Sequence, residues 1–366
     1  MSTHKAVASI SKGHFDTIDL PTPTSLKDDD VLFKVEYASM IAFDTYTNDL
    51  AYFVNEYPVV FGFNGAGTVV KVGKAVSDLK EGDRITAFTF QGNSAKSMQE
   101  YSLVSRATAS KIPASLPLAS AATIPDNFIT AFNTLFSHIY LNLPVPQSFP
   151  ATEAPPLASA PILIYGAGST TGQYAIQLLK SAGYQNIIAT ASSRHHAFLQ
   201  ELGAKFVFDY SSPSVVDDIA KVSGGKVQYV VDCITAEGTL SLIGKVVSPQ
   251  GTVAILLPIK KGNKVRGGEG EEEMAMALPE DNEFLPKGTK VVGVRTFLYL
   301  ENEFLRDNLM PKILPQLLEA NIIQPNKVRL LDESAGSFKE RVGAGLELLR
   351  NNKVSGEKVV VKVQPA

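Results

Sequence analysis

Residues 162–184, ILIYGAGSTTGQYAIQLLKSAGY, join an apolar run ending at Tyr165 to a turn carrying Gly166, Gly168 and Gly172, then to apolar residues at helical spacing. Glycines let a backbone turn tightly and approach a phosphate pair. The N-terminus of the following helix adds unpaired N–H groups and a partial positive charge. The spacing G-x-G-x-x-x-G, with Ser169, Thr170 and Thr171 inside it, suits the pyrophosphate of a dinucleotide; the alternative is a tight turn in a sheet that binds none. The end of the next strand separates two dinucleotides. An unphosphorylated ribose asks for Asp or Glu there, roughly 20 residues past the glycines, yet no acid occurs between Gln173 and Gln200. Ser192, Ser193, Arg194 and His195, with His196 behind them, instead supply donors and positive charge. That is what a 2′-phosphate requires, so NADPH is expected over NADH; the plainer reading is a solvated basic turn.

Other chemistry is thin. The five histidines (4, 14, 138, 195, 196) are scattered apart from one adjacent pair, which cannot face one metal as an i, i+4 helical pair does, so no metal site is expected. A G-x-S-x-G elbow is lacking, which disfavours a serine hydrolase.

Two kinds of element must position these residues. From Pro161 apolar strands alternate with amphipathic helices: PILIY, NIIATA (186–191), KFVFDY (205–210), VQYVVDC (227–233) and TVAILL (252–257), with helices after Gly172, up to Gly203, near 213–222 and near 238–247. This grammar implies a parallel sheet covered on both faces. The first ~120 residues instead alternate short β-rich runs with Gly and Asp turns, as an irregular β domain would. After residue 289 come an apolar strand, helical patterns around 303–319 and 336–350, and a last strand, EKVVVKV (357–363). Residues 141–161 hold six prolines among Ala and Ser and read as an extended surface insertion. Residues 261–288 contain GGEGEEE and read as a solvated loop or a lid.

At 366 residues, 45% apolar and 19% charged, the chain is ordinary globular material of about two domains. Lys and Arg total 34 against 37 Asp and Glu, with no basic stripe, so a nucleic-acid or membrane-surface partner is not expected and a small molecule is. Cys233 is alone, which excludes an intramolecular disulfide and fits a reducing compartment. No apolar run approaches ~18 residues and the start lacks a signal-peptide core, so the cytosol is the expected location.

Several segments together resemble the zinc-independent branch of the medium-chain dehydrogenase/reductase family, similar to quinone oxidoreductases and fungal trans-acting enoyl reductases. They are DTY (44–46) followed by Tyr52, GFNGAGTVVKVG (62–73), EGDRI (81–85), QEYSLV (99–104), the glycine turn, LGAKFVFDY (202–210), VVDCIT (230–235) and NKVSGEKVVV (352–361). The resemblance implies a GroES-like β-rich catalytic domain from residues 1–125 and 300–366, and a doubly wound Rossmann domain from 126–299. Zinc-dependent members carry Cys where this chain has Ile41, and His-Glu where it has Phe63-Asn64. Hydride transfer to an activated alkene needs no Lewis acid, so the implied activity is NADPH-dependent reduction of an enone, enoyl thioester or quinone. Ser169 stands where the turn's central Gly is usual.

By the same resemblance the cofactor positions are Ala42, Phe43, Asp44 and Thr45 beside the nicotinamide, Thr130 at the domain junction, Gly168 to Thr171 at the pyrophosphate, Ser192 to His195 and Tyr210 at the adenosine phosphate, Ile234 and Thr235 after the fourth strand, and Lys358. Tyr210 as a core-edge aromatic and Lys358 as an exposed strand end are the plainer readings. Tyr52, and next to it Tyr46, are the candidate proton donors; otherwise they line an apolar wall. A polyketide synthase is a partner this branch allows. The rival functions are a nucleotide-binding accessory protein of a synthase without turnover, and zinc-free alcohol or aldehyde chemistry.

Overall fold

A computed structural model describes residues 2–261, 274–279 and 282–364. The chain folds into two compact units, Met1–Asp126 with Phe297–Ala366, and Asn127–Thr296.

In the second unit six parallel strands lie side by side in the order Phe206–Phe208, Ile187–Thr190, Ile162–Tyr165, Val227–Asp232, Val247–Leu256, Lys290–Val294. Numbered along the chain this is 3-2-1-4-5-6, the doubly wound order whose connections reverse direction beside the first strand. All four residues of ILIY are buried. A strand covered on both faces must be apolar without alternation. The helices Thr170–Ser181, His196–Leu202, Val215–Ser223 and Glu237–Val246 supply connections between these strands. Leu163, Ile188, Val230, Leu240, Ile243 and Val253 form the core they enclose.

The proline-rich stretch is irregular and lies largely at the surface, as its composition dictates, with a few points anchored inward. Leu141 and Leu143 are buried, and the Phe149 ring lies 6.1 Å from that of Phe132. Ala151 N–H donates to the Ser181 carbonyl at 2.7 Å, and the Tyr184 hydroxyl to that of Pro144 at 2.9 Å. Leucines and a phenylalanine among the prolines supply these anchors by burying apolar area. Of the expected lid, 262–273 and 280–281 lie outside the described residues. Its described part pairs Met274–Ala275 with Ile259–Lys260.

The first unit centres on the strand Asp30–Ser39, paired antiparallel with Asn64–Val72 on one side and with Glu357–Lys362 on the other. The latter is flanked in parallel by Lys327–Leu331. Both ends of the chain therefore share one sheet. Phe33, Val35, Met40, Ile85, Met98, Val342, Leu346, Val359 and Val361 make its core. An N-terminal hairpin, Thr3–Ser11 with His14–Pro21, turns at Gly13 in the left-handed region at φ 80°. Among the described residues no helix is long and apolar enough to cross a membrane.

Candidate active site

The glycine turn lies at the carboxyl end of the first parallel strand, where the sheet order reverses. Each glycine answers a specific neighbour. A Cβ on Gly166, which has φ 71°, would stand 2.4 Å from Cγ1 of Ile234; one on Gly172 would stand 2.6 Å from the Ala167 Cα, so the helix touches the backbone of the turn there. On Gly168 a Cβ would approach His195 Cδ2 at 3.1 Å. Ser169 needs no glycine. It has an extended backbone, φ −65° and ψ 158°, and its hydroxyl caps the helix by accepting from Gly172 N–H at 3.2 Å. That cap takes one of the first N–H groups of the helix, and the Thr170 and Thr171 hydroxyls both donate to Asn127 Oδ1, at 3.1 and 2.8 Å.

Beside this turn, Ser193–His195 form one 3-10 turn after the second strand, with Ser193 and Arg194 exposed and the His195 ring packed on Gly168. Burial, then Arg194 and His196, hold the His195 pKa below its usual value. Tyr210 is 47% exposed, so it is no core aromatic; it follows a three-residue strand too short to carry it inward. Sequence reasoning missed Asp209. Its carboxylate accepts from Ser193 N–H at 3.2 Å and from the Ser211 hydroxyl at 2.5 Å, and the Ser211 bonds hold its pKa low. The acid lies on the neighbouring strand's end, where a search along the second strand alone does not look.

At the fourth strand's end Asp232 is buried and accepts from the N–H groups of Ile234 and Thr235, both at 2.9 Å, and from the Thr239 hydroxyl at 2.5 Å. These bonds bend the chain so that Thr235 sits at φ 54° and Ile234 covers Gly166. Burial raises the Asp232 pKa, and that carboxyl, after burial itself, helps push Tyr165 up to about 12. Thr130 bonds Thr296 hydroxyl to hydroxyl at 2.6 Å.

In the first unit, Ala42 to Tyr46 begin a helix, Ala42–Leu50. Asp44 locks its start: the buried carboxylate accepts from Ile41 N–H and from Gly62 N–H, each at 2.9 Å, and Thr45 donates to the Ala42 carbonyl at 2.6 Å. The helix ends at Ala51 in the left-handed region, and Phe53 follows with φ 56°, which brings Tyr52 back against the helix. The rings of Tyr46 and Tyr52 stand 6.3 Å apart, edge to face. Both face Phe43, at 6.5 and 5.6 Å, and Phe43 in turn packs its edge on Phe63 at 5.2 Å. Tyr46 is 3% exposed and Tyr52 half-buried. Asn64 is buried and fully engaged, donating to the Ser39 hydroxyl at 3.0 Å and accepting from Asp126 N–H at 2.7 Å.

Lys358 is not an exposed strand end. It is 3% exposed and its ammonium pairs with Asp126, because the strand carrying it is inserted into the sheet interior. Burial holds its pKa below the usual lysine value against the pull of Asp126. Sequence reasoning also missed Lys96. This side chain is 6% exposed with Nζ 3.1 Å from the centroid of the Phe63 ring. Burial pulls its pKa down to about 7, opposed by the charge of Asp44. A single lysine in SAKSMQ carries no pattern that marks it as buried. Among the described residues no group of three or more His, Cys, Asp or Glu is placed to hold a metal ion.

Residues 27–114 match the alcohol dehydrogenase GroES-like domain, and residues 170–295 the family described as zinc-binding dehydrogenase. The fold is accordingly a GroES-like domain with a Rossmann domain. A trans-enoyl reductase of Aspergillus japonicus, himH, is 31% identical over 341 residues, which cover 91% of this chain and 90% of that protein. Two solved structures share the fold. The CurK enoyl reductase superposes with a TM-score of 0.74 at 20% identity over 98% of this chain and 99% of its own. The quinone oxidoreductase of Coxiella burnetii gives 0.70 at 22% over 99% and 100%. Placed beside the glycine turn and the reversing sheet, these likenesses show that the chain belongs to the medium-chain dehydrogenase/reductase family.

Proposed function

We propose that this protein is an NADPH-dependent reductase that delivers hydride to the electron-poor carbon of an activated C=C, in an enone or enoyl thioester, or to a quinone, without zinc. The observation that carries the reading is the cradle at the sheet reversal: a capped helix start, Gly168 under His195, and the Ser192–Arg194 donors beside it. A dinucleotide fits this cradle because the three close approaches leave no side chain on the glycines and the positive end of the helix dipole begins at the turn. Arg194, Ser192 and Ser193 would hold a 2′-phosphate, Thr170 and Thr171 the pyrophosphate. The bound nicotinamide supplies the hydride. Hydride addition at a β-carbon leaves negative charge on the carbonyl oxygen and a proton to be delivered at the α-carbon; Tyr52 is the proposed donor of the latter. A zinc-free mechanism is supported by residue type, since Ile41 and Phe63 offer no ligand atom and the Asn64 amide is spent on Ser39 and Asp126. The relative himH, named a trans-enoyl reductase, favours an enoyl thioester over a quinone.

NADPH consumption across a panel of enones, enoyl thioesters, quinones and aldehydes, with products identified by mass spectrometry, tests the reading. A saturated carbonyl product is expected. Binding without consumption of NADPH would make the chain an accessory protein, and an alcohol product would make it a carbonyl reductase. Arg194→Ala tests the choice of cofactor. A charge-assisted phosphate contact contributes ~1.5–3 kcal/mol, so NADPH affinity should fall roughly 10- to 100-fold with NADH affinity unchanged. Equal wild-type affinities for the two would overturn it.

A further inference from the structure

A lysine 6% exposed is a costly object unless its charge is answered. Lys96 is answered only by an aromatic face and by an unpaired attraction. Among the described residues its Nζ makes neither hydrogen bond nor ion pair, and its near neighbour is the face of Phe63. The compensating charge of Asp44 acts on it without an ion pair, while the two carboxylate oxygens of Asp44 accept from the N–H groups of Ile41 and Gly62. Methionine or leucine would fill the same volume at no desolvation cost. An ammonium held there, with three donors and no acceptor, has the makings of a site awaiting an oxygen.

Its surroundings say which oxygen. Phe63 is one wall of the aromatic cluster of Phe43, Tyr46 and Tyr52, so the ammonium and two phenols border the same apolar patch. Phe63, against which the ammonium packs, is also one of the positions, with Ile41 and Asn64, at which the family resemblance puts metal ligands in zinc-dependent members. A positive charge thus lies against the place where a cation would polarise a carbonyl. We propose that the Lys96 ammonium is the electrophile of the acceptor site, binding the carbonyl oxygen of the conjugated acceptor and protonating it as hydride adds to the β-carbon. This rests on the reductase reading above.

The step balances. Hydride brings an electron pair to the β-carbon, the C=C pair moves to join the α-carbon to the carbonyl carbon, and the carbonyl pair takes the proton from Nζ. Neutral amine and an enol result. The α-carbon then takes a proton from Tyr52 or water while the enol O–H proton returns to Lys96. An acid that titrates near 7, as burial makes this one, is matched to neutral pH. The charged groups that bear on it are Asp44 directly and, through Asp44, Asp126 and Lys358.

The test compares wild type with Lys96→Met, which keeps the stem's packing, and Lys96→Arg, which keeps a charge of different shape; urea unfolding confirms that each is folded. With NADPH and the crotonyl thioester of N-acetylcysteamine, Lys96→Met should lose about 100-fold or more in kcat at unchanged NADPH affinity. The wild-type rate should fall tenfold per pH unit above about 7, a limb absent from the variant's residual rate. A Lys96→Met rate within threefold of wild type, or a variant that keeps the alkaline limb, would show a packed amine with no part in the reaction. Calorimetry of the saturated butyryl thioester without cofactor gives a readout that needs no turnover. Loss of tenfold or more in affinity in Lys96→Met at pH 6, shrinking towards pH 9, supports carbonyl binding by Lys96 even if wild type consumes no NADPH and the reductase reading fails. Equal affinities at pH 6 would overturn it.

Discussion

At the scale of single residues, the molecule spends stability on two buried amines, and they are not equivalent. Lys358 is met by Asp126, whereas Lys96 is met by an aromatic face. With a folded pKa of about 7 against the ordinary 10.5, Lys96 has released its proton in the folded chain between those values while the unfolded chain still holds one. Folding stability therefore rises with pH across that window, by up to about 1.4 kcal/mol per unit, and the full cost of charging the buried amine is felt below it. Lys96→Met removes the effect, so urea unfolding should find the variant more stable than wild type at pH 6, with the gap closing towards pH 10. A gap that does not move with pH would mean that the amine titrates at its ordinary value. Tyr52 is the second residue whose role one atom decides. Tyr52→Phe keeps the ring against Phe43; as a positioned acid Tyr52 should cost ~10²–10⁴-fold in turnover when its hydroxyl is removed. Turnover within a few-fold of wild type would assign the α-proton to solvent and leave the ring as wall.

At the scale of elements, the helix Thr170–Ser181 is where packing and chemistry coincide. Gly172 admits the Ala167 backbone, and the Ser169 hydroxyl holds the first turn. Gly172→Ala should force turn and helix apart, since backbone cannot yield as a side chain can, at about 1–3 kcal/mol. Ser169→Gly should cost only a few tenths. Equal urea midpoints for the two variants would mean that the close approach is not what Gly172 provides. This ranking was hard to see in sequence, where Ser169 looks like the departure and Gly172 like the ordinary glycine. What the sequence does disclose is set by periodicity: buried parallel strands such as ILIY and VQYVVD have no alternating polar face to confuse them. Helix Ala42–Leu50 escaped because AFDTYTNDL has no apolar stripe, and a carboxylate that reaches Gly62 from 18 positions away fixes its start. Lys96, Asp126 and Asp209 escaped for the same reason: their partners, Phe63, Lys358 and Ser193, come from other parts of the chain.

At the scale of the whole molecule, the sheet of the first unit is assembled from chain ends more than 300 residues apart. Strand Glu357–Lys362 pairs Val360 with Ser39, Val361 with Ala38 and Lys362 with Tyr37, and the helix Phe338–Arg350 lays Val342 and Leu346 on the same core. We therefore expect residues 1–125 alone to be unable to fold. Removing the C-terminal segment strips Val342, Leu346, Val359 and Val361, all fully buried, from the N-terminal strands. At ~1.5–3 kcal/mol for each such side chain, those four alone contribute about 6–12 kcal/mol, comparable to the ~5–15 kcal/mol by which a domain is stable. The loss also bares the edge of Asp30–Ser39. Circular dichroism and urea titration of the fragment should show no cooperative transition, and joining residues 297–366 to residues 1–126 through a flexible linker should restore one. A cooperative transition in the short fragment would mean that the returning strand decorates the first unit instead of completing it.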